Sequence, residues 1–245
     1  MLALIAGRGA LPLAVAQAQD QPPVICALTT TVPDHVIPDH VFSLEQLGGF
    51  LRHLKAKGVT EVCFCGAIDR PALAWTRLDL WTVTLVPRIL RALRRGDDGA
   101  LRIAISVFED AGFRVLAAHD AAPDLLPPPG IPTRAGLGGK AAALAIARVG
   151  DSVSVEQAKY DLGQACVIRD ARVIAREDDA GTDAMLSALG TEARGAVLYK
   201  APKPGQDRRA DLPVIGADTA IRAAELGLAG IVIEAGGVMV IDRAR

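Results

Sequence analysis

The stretch that decides the fold of the amino-terminal half is residues 2–19, LALIAGRGALPLAVAQAQ. Residues 2–6 form a short, uninterrupted apolar run, and residues 7–9 are Gly-Arg-Gly. Residues 11–19 then place apolar side chains at helical spacing. This order predicts a buried strand, a glycine-rich turn and a helix, which together form the opening unit of a parallel α/β sheet.

The alternation of strands and helices continues to residue 117. The strands are expected at 24–28, 61–65 and 114–117, and the helices at 44–57, 87–95 and 101–111. Gly58 follows the first of these helices, in the position of a C-terminal cap. We therefore predict an α/β fold with a Rossmann-like parallel-sheet domain over residues 1–122, whose ligands bind beyond the carboxyl ends of the strands.

A proline-rich segment ends this pattern. Residues 127–132 read PPPGIP, which holds an extended backbone and cannot continue a helix. We predict a linker over 123–136 and a mixed α+β domain over 137–245 that carries the catalytic motif. Its helices are expected at 140–148 and 219–228, with a strand at 197–200, a hairpin of 165–168 and 172–175 around Asp170, and a hairpin of 230–234 and 238–242 around 235–237.

The composition excludes several classes of protein. Of 245 residues, 51% are hydrophobic and only 4% aromatic, and the formal net charge is −1. Such a chain buries a core, and its near-neutral charge offers no basic surface for nucleic acid. An apolar run of about 20 residues, the length of a membrane-spanning helix, does not occur.

The amino terminus resembles a signal peptide only in ending with Ala14-Val15-Ala16. It lacks a basic first region, and Arg8 and Pro12 interrupt the apolar run, so we interpret residues 1–16 as the first strand and turn of the mature protein. The cysteines lack the spacing of a disulfide framework, and we expect free, buried thiols in a reducing compartment, the cytoplasm. They are Cys26, Cys63, Cys65 and Cys166.

The turn at residues 7–12 has two readings. Free N–H groups at the start of a helix favour an anion, so Gly9, Ala10 and Leu11 could contact a phosphate or nucleotide. A plain tight turn explains the same residues equally well. The dinucleotide fingerprint requires a third glycine where this chain has Pro12, which disfavours NAD.

The densest polar cluster is residues 200–213, KAPKPGQDRRADLP. Three prolines and a glycine stiffen a segment that holds two lysines, two arginines and two aspartates. Cations on a rigid loop can neutralise a diphosphate, and a carboxylate beside them can bind a divalent cation or orient water. The alternative is a solvated, charged turn between a strand and a helix.

Other polar residues are weaker candidates. Thr182 and Asp183 precede a helical pattern, where capping and ligand contact are equally good interpretations, and the same applies to Asp97 and Asp98. His119 follows a strand end and is a candidate contact. We interpret the remaining histidines as loop residues (His35 and His40) and as a helix-face residue (His53), because no third ligand lies at metal-binding spacing.

Several motifs resemble one enzyme family over nearly the whole chain. The longest is Lys200-Ala-Pro-Lys203-Pro-x-Gln206-x-x-Arg209-x-Asp211-Leu-Pro213-x-Ile215-Gly216. The others are residues 4–13 (LIAGRGALPL), 66–71 (GAIDRP), 96–98 (GDD), 163–165 (GQA) and 181–186 (GTDAML). The family is the UDP-2,3-diacylglucosamine pyrophosphatase of lipid A synthesis that is unrelated to the calcineurin-like phosphoesterases.

The resemblance implies a cytoplasmic, Mg²⁺-dependent hydrolase. Its substrate, UDP-2,3-diacylglucosamine, is split into UMP and 2,3-diacylglucosamine 1-phosphate, with the acylated sugar held between two domains. The family's essential aspartate falls on Asp211, and Asp207 is the second candidate metal ligand. The resemblance leaves open a homodimer and a peripheral contact with the inner membrane. The implied substrate contacts are Gly9, Ala10, Leu11, Gly66, His119, Gln164, Thr182, Asp183, Lys200, Lys203, Gln206, Arg209 and Thr219.

The chain departs from the family pattern at two places, and two alternative functions stay open. Relatives often have Glu where this chain has Ala180, and they often continue about twenty residues past Arg245. The alternatives are a non-hydrolytic lipid- or nucleotide-binding protein and another nucleotide-sugar enzyme, such as a transferase or oxidoreductase. If the family function applies, part of the aliphatic surface lines an acyl-chain cavity near Asp211.

Overall fold

The computed structural model describes residues 1–69, 74–95, 97–131, 133, 137–209 and 211–243, apart from the side chains of Trp75, Asp97 and Asp98. Contacts divide the chain into two compact units. The first contains Met1–Pro123 and Asp207–Asp211, and the second contains Asp124–Gln206 and Leu212–Arg245. The predicted boundaries at 122 and 136 stay predictions, and residues 132 and 134–136 of the predicted linker lie outside the described part.

The first unit contains the predicted parallel sheet. Its strands are β1 (Leu2–Ala6), β2 (Val24–Leu28), β3 (His40–Phe42), β4 (Glu61–Cys65) and β5 (Arg114–Leu116). All neighbours pair in parallel in the order β3-β2-β1-β4-β5. The order reverses direction between β1 and β4, which is the topological switch point of a doubly wound sheet. The strand β3 has only three residues and no apolar run of its own, so the sequence did not predict it.

Helices flank this sheet. They are α1 (Leu11–Gln17), α2 (Leu47–Ala56), α3 (Val86–Leu93), α4 (Asp97–Asp110) and α5 (Ala118–Ala121). The predicted helix at 44–57 begins as a 3-10 turn over Leu44–Gln46 and ends before Gly58, whose φ of 76° suits a left-handed cap. All five phenylalanines of the chain are buried in the core of this unit.

The second unit is a mixed α+β structure, as predicted. Its elements are α6 (Lys140–Ala158), β6 (Ala165–Arg169), β7 (Arg172–Arg176), α7 (Thr182–Ser187), β8 (Val197–Lys200), β9 (Val214–Ile215), α8 (Ala217–Glu225), β10 (Gly230–Ile233) and β11 (Met239–Val240). The sheet order is β10-β8-β6-β7, and β9 pairs with β11 separately. The antiparallel pair β6–β7 confirms the predicted hairpin around Asp170.

The other predicted hairpin is wrong. Strand β10 pairs in parallel with β8, and β11 pairs in parallel with β9, so the two segments belong to different sheets. Their backbone groups find partners elsewhere in the chain, although Gly236 does adopt a positive φ of 69° between them. A local turn pattern therefore did not determine strand pairing.

Helix α6 is also ten residues longer than the predicted 140–148. Gly150 lies inside this helix. A glycine is needed there because a Cβ at this position would lie 2.2 Å from the Tyr199 ring. The glycine marks a close helix–sheet contact rather than a helix end. The sheet is buried on both faces: Val167 and Leu198 belong to one core cluster, and Ile168 and Tyr199 to the other.

Two expectations about the chain as a whole can be compared with the structure. Among the described residues, no helix is long and apolar enough to cross a bilayer. All four cysteines are free and buried, as the sequence predicted.

Candidate active site

Two turns meet at the switch point of the parallel sheet. The N–H of Gly7 donates to the Cys65 carbonyl at 2.8 Å, and Arg8 and Ala67 exchange backbone hydrogen bonds of 2.8 and 3.0 Å. Gly66 has a φ of 87°, and a Cβ there would lie 2.6 Å from the Arg8 carbonyl oxygen. The structure thus places Gly66 directly against the Gly7–Gly9 turn, at the edge where parallel sheets bind ligands.

The helix start at this turn is occupied by the protein's own carboxylate. The N–H of Gly9 donates to Asp34 Oδ2 at 2.7 Å. Ala10 is the N-cap of α1 and Leu11 is buried, so these two residues offer backbone atoms at most. A ligand phosphate that used the N–H of Gly9 would therefore have to displace the Asp34 carboxylate.

An ion pair spans the same two turns. Arg8 pairs with Asp69, with one contact of 2.7 Å between Nη2 and Oδ1, and the N–H of Asp69 donates to the Thr31 hydroxyl at 3.0 Å. The hydrogen bond from Arg8 holds the pKa of the Asp69 carboxyl below its usual range. Sequence reasoning did not assign a role to Asp34 or to Asp69, although Asp69 lies in the family motif 66–71, because the two residues lie 25 and 61 positions along the chain from their partners.

His119 lies in the short helix α5, just past β5, as expected. Its side chain is about one-fifth exposed (22%). Its Nδ1 is buried and has no hydrogen-bond partner among the described residues. The residue therefore sits at the ligand-binding edge of the parallel sheet, and its contact with substrate stays a prediction.

The predicted diphosphate-binding Arg209 already has two carboxylate partners. Its guanidinium donates hydrogen bonds of 3.0 and 2.8 Å to Asp207 and one of 2.6 Å to Glu109 Oε1 of α4. All three residues belong to the first unit. The bond from Arg209 lowers the pKa of Asp207, and the same pair raises the pKa of Arg209. This cluster anchors residues 207–211, and Glu109 was not anticipated because it lies 100 residues away in sequence.

Asp211 lies in the same anchored segment. It is partly exposed, and its N–H donates to the Asp207 carbonyl at 3.2 Å. Ala210 of the motif lies outside the described part of the chain. Within that part, no group of three or more His, Cys, Asp or Glu side chains could hold a metal ion.

A second polar cluster lies in the second unit and is centred on Lys200, at the end of β8. Only 7% of Lys200 is exposed, and its Nζ donates to Thr182 Oγ1 at 2.7 Å. The Thr182 hydroxyl donates to the buried Glu177 at 2.9 Å, and the other Glu177 oxygen accepts the N–H of Gln164 at 2.9 Å. A Cβ on Gly163 would lie 2.3 Å from Glu177, so the glycine leaves room for that carboxylate.

The first half of the charged loop extends the same cluster. Gln206 Oε1 accepts hydrogen bonds from Gln164 Nε2 at 2.9 Å and from the N–H of Lys203 at 3.0 Å. Lys203 Nζ lies 2.6 Å from Asp161 Oδ1. Five predicted substrate contacts thereby belong to one hydrogen-bonded set, in which Glu177 links Thr182 to Gln164. The five are Gln164, Thr182, Lys200, Lys203 and Gln206. Sequence reasoning did not single out Glu177 or Asp161.

Asp183 and Thr219 lie outside this hydrogen-bonded set, to which Thr182 belongs. Thr182 is not a helix cap, because Gly181 is the N-cap of α7 and Thr182 is its first residue. Asp183 is exposed in the first turn of α7, and Thr219 is half-buried in α8. Asp97 begins α4 rather than preceding it, while Gly96 and the side chains of Asp97 and Asp98 lie outside the described residues.

The remaining histidines lie in a loop or pack against other rings. His35 is an exposed loop residue, as expected, but His40 lies in strand β3. The His40 ring stacks on His53 of α2 with centroids 4.4 Å apart. Burial, followed by the nearby His53, lowers the pKa of His40. These rings contribute to packing at the sheet edge.

The predicted acyl-chain cavity near Asp211 stays a prediction. A cavity of about 520 Å³ lies within the second unit. Its walls are mainly small and aliphatic, including Ala142, Ile146, Val197 and Ala229, and Asp211 does not line it.

The fold, the Arg209 cluster and the Lys200 cluster together define a class of protein. It is a two-unit α/β protein with a doubly wound first sheet and a mixed second sheet. Its proline-rich, cationic loop begins at a buried lysine. Family models described as the LpxI N-terminal domain and the LpxI C-terminal domain match residues 1–125 and 135–245. The UDP-2,3-diacylglucosamine pyrophosphatase LpxI of Caulobacter vibrioides is 35% identical over 261 aligned positions, covering 99% of this chain and 91% of that protein. The chain belongs to the LpxI family, and the resemblance found in its motifs is confirmed.

Proposed function

We propose that this chain hydrolyses the diphosphate of UDP-2,3-diacylglucosamine to UMP and 2,3-diacylglucosamine 1-phosphate in lipid A biosynthesis. The observation that carries the proposal is the match, over nearly the whole of both chains, to a relative named for that pyrophosphatase activity. The reaction breaks the bond between one phosphorus and the bridging oxygen, and water supplies the new oxygen. Such a reaction needs charge neutralisation and an aligned water more than covalent participation by the protein.

Lys200 and Lys203 are the proposed cations for the diphosphate. The buried ammonium of Lys200 is held by Thr182, so little side-chain freedom is lost when it meets a phosphate oxygen. Lys203 is already paired with Asp161, and a phosphate would compete with that carboxylate. Arg209 is proposed to contact the diphosphate as well, through donors beyond those bonded to Asp207 and Glu109.

Asp211 is the proposed catalytic residue, acting by orienting the attacking water or by ligating Mg²⁺. Mg²⁺ bound to the diphosphate would neutralise the charge that develops on its oxygens. Asp207 is the less suitable ligand, because both of its carboxylate oxygens accept hydrogen bonds from Arg209. The task of Asp207 is then to hold the segment that carries Asp211.

The remaining substrate contacts are proposed for each unit separately. Gln164, Thr182 and Asp183 are proposed to bind substrate from the second unit, with Gln206 fixed beside Gln164 and Thr219 on the neighbouring helix. Gly9, Ala10, Leu11, Gly66 and His119 are proposed to bind it from the carboxyl edge of the parallel sheet. The buried, free thiols support a reducing compartment, the cytoplasm.

The test compares Asp211→Asn with Asp170→Asn while UMP release from UDP-2,3-diacylglucosamine is followed. Both changes remove one charge without changing shape. Asp170 is an exposed hairpin residue with a φ of 50°, a conformation that Asn tolerates, so it is a matched control. We expect a loss of about 100-fold or more in kcat for Asp211→Asn, the scale of a lost acid–base group, and none for Asp170→Asn.

The same assay with EDTA tests the metal. Loss of activity in EDTA and its recovery on adding Mg²⁺ are expected, whereas full activity in EDTA would exclude the Mg²⁺ proposal. Normal turnover by folded Asp211→Asn would remove that residue from the catalytic role. Tight binding of the nucleotide sugar without any UMP release would favour the non-hydrolytic alternative, and a requirement for nicotinamide or a second sugar would favour another nucleotide-sugar enzyme.

A further inference from the structure

The loop that precedes α3 reverses the usual distribution of polar and apolar side chains. Within residues 79–83, which we call the apolar loop, Thr82 is fully buried while Leu80, Trp81 and Val83 are 81%, 54% and 52% exposed. A surface turn ordinarily exposes its polar residues and covers its apolar ones. Three neighbouring large apolar side chains at the surface are the kind of patch that marks an interaction site.

The apolar loop is held firmly by the start of α2. The N–H of Gly48 donates to the Thr82 hydroxyl at 2.8 Å, and the N–H of Gly49 donates to Asp79 Oδ2 at 2.9 Å. A Cβ on Gly48 would lie 2.4 Å from the carbonyl carbon of Trp81, so the two segments are in close backbone contact. The polar side chains cap a helix, and this capping directs the apolar ones outward.

Trp81 differs from the five phenylalanines of this unit, while the side chain of Trp75 lies outside the described part of the chain. The phenylalanines are all buried in the core, whereas Trp81 is at the surface with the Arg52 guanidinium 3.8 Å from its ring centroid. A tryptophan beside a cation is the combination found where proteins meet the headgroup layer of a membrane.

The segment that contains the apolar loop and α3 has an excess of arginine. Residues 75–98 contain five arginines and three aspartates, Asp79, Asp97 and Asp98, in a chain whose net charge is −1. Arg77, Arg91, Arg94 and Arg95 are exposed. The fifth, Arg88, pairs with Asp110 at 2.6 Å. An exposed apolar loop that is followed along the chain by exposed arginines is the combination expected at a bilayer that contains anionic lipid.

The position of the apolar loop suits a lipid surface. Helix α2 follows β3, so its start lies at the carboxyl edge of the parallel sheet, the edge that also carries the Gly7–Gly9 turn. We infer that the apolar loop inserts into the headgroup region of an anionic bilayer, with the arginines of residues 77–95 contacting lipid phosphates. The inference uses no residue of the candidate active site and does not depend on the proposed function.

Co-sedimentation of the full chain with vesicles tests the inference. Vesicles of phosphatidylcholine alone are compared with an equimolar mixture of phosphatidylcholine and phosphatidylglycerol. We expect binding to the mixed vesicles that weakens as salt increases, and roughly 10-fold or greater weakening for Leu80→Ser/Trp81→Ser and for Arg91→Glu/Arg95→Glu. UMP release from detergent-dispersed substrate should be unchanged in both variants, which separates this test from that of the proposed function.

Matched controls make the same changes elsewhere. Ile37→Ser/Tyr160→Ser alters two other exposed apolar side chains, and Arg148→Glu/Arg172→Glu reverses two other exposed charges. Both controls should bind vesicles like the wild type. Equal weakening in the controls, or no binding to the mixed vesicles at low salt, would overturn the inference. So would a loss of self-association in Leu80→Ser/Trp81→Ser with vesicle binding intact, since the apolar loop would then be an interface between copies of the chain.

Discussion

Glu177 satisfies two donors at the centre of the second unit. One carboxylate oxygen accepts the Thr182 hydroxyl, which in turn accepts Lys200 Nζ, and the other accepts the N–H of Gln164. Buried ionic groups are tolerated when every member of the network has a partner. A single carboxylate thus determines the position of three residues of the candidate site.

Replacing Glu177 with Gln should destabilise the second unit, because the two hydrogen bonds go to different carboxylate oxygens and the amide puts an NH2 donor in place of one of these acceptors. We expect a decrease of about 1–3 kcal/mol in the free energy of unfolding, measured by urea denaturation. Glu156→Gln is the control, since Glu156 forms an exposed pair with Arg176 and its loss should have little effect. Equal stability of the two variants would show that the Glu177 network contributes nothing.

A comparison of substitutions at Gly66 and Gly58 can separate the cost of backbone strain from the cost of steric conflict. Both have positive φ, 87° and 76°, but a Cβ on Gly58 meets no atom within 4 Å, whereas one on Gly66 would lie 2.6 Å from the Arg8 carbonyl oxygen. We expect Gly58→Ala to lower the free energy of unfolding by about 1–2 kcal/mol and Gly66→Ala to lower it further, as measured by urea denaturation. Equal effects would mean that the two turns at the switch point can separate easily.

At the scale of elements, the contact between α6 and β8 shows how a neighbouring element defines a helix. Gly150 lies against the Tyr199 ring, and the Tyr199 hydroxyl donates to Asp151 in the same helix. Burial, followed by the bond to Asp151, raises the pKa of Tyr199 well above its usual value. The ring is therefore fixed on two sides and cannot move away from a larger side chain at position 150.

Gly150→Ala should destabilise the protein, which is the opposite of the gain of about 0.5–1 kcal/mol that the same change gives inside an unobstructed helix. Urea denaturation measures the change in the free energy of unfolding. Adding Tyr199→Leu should recover part of the loss, so that the double variant is more stable than the sum of the single effects predicts. A stabilising Gly150→Ala would contradict the close contact.

The pairing of β10 and β11 is the element-level property that the sequence did not specify, whereas it did indicate the β6–β7 hairpin. Residues 230–234 and 238–242 with Gly236 between them have the pattern of a hairpin, yet each strand pairs in parallel with a distant partner. Apolar runs and turn residues identify the strands themselves. Both faces of β6 and β8 are buried, so their side chains show no polar–apolar alternation. The side-chain pattern therefore does not indicate which strand pairs with which.

At the scale of the whole molecule, the charged loop belongs to both units. Residues 207–211 lie in the part of the chain matched by the C-terminal family model, yet their contacts group them with the first unit. The pair of Arg209 with Glu109 is one reason for this grouping. The sequence motif is therefore continuous along the chain but is distributed over two structural units.

The buried cysteines provide a separate probe of each unit. Cys26, Cys63 and Cys65 lie in the first unit and Cys166 in the second, and burial raises the pKa of Cys26 and Cys166 to about 12. At about pH 8 we expect no alkylation by iodoacetamide in the folded protein and four modified thiols in urea, detected by mass spectrometry. Rapid alkylation of any of the four in the folded protein would contradict its burial.

The sequence by itself determined four of the five strands of the parallel sheet, the change to a mixed second half, the family and the residues of the charged loop. It could do so because buried strands, glycine turns and a rigid polar motif leave their mark on consecutive residues. Only the tertiary structure decided that Asp34 occupies the turn at Gly9, that Glu177 supports Thr182 and Gln164, and that Glu109 anchors Arg209. Those contacts join residues far apart in the chain, and charge and geometry select such partners only once the sheets have formed.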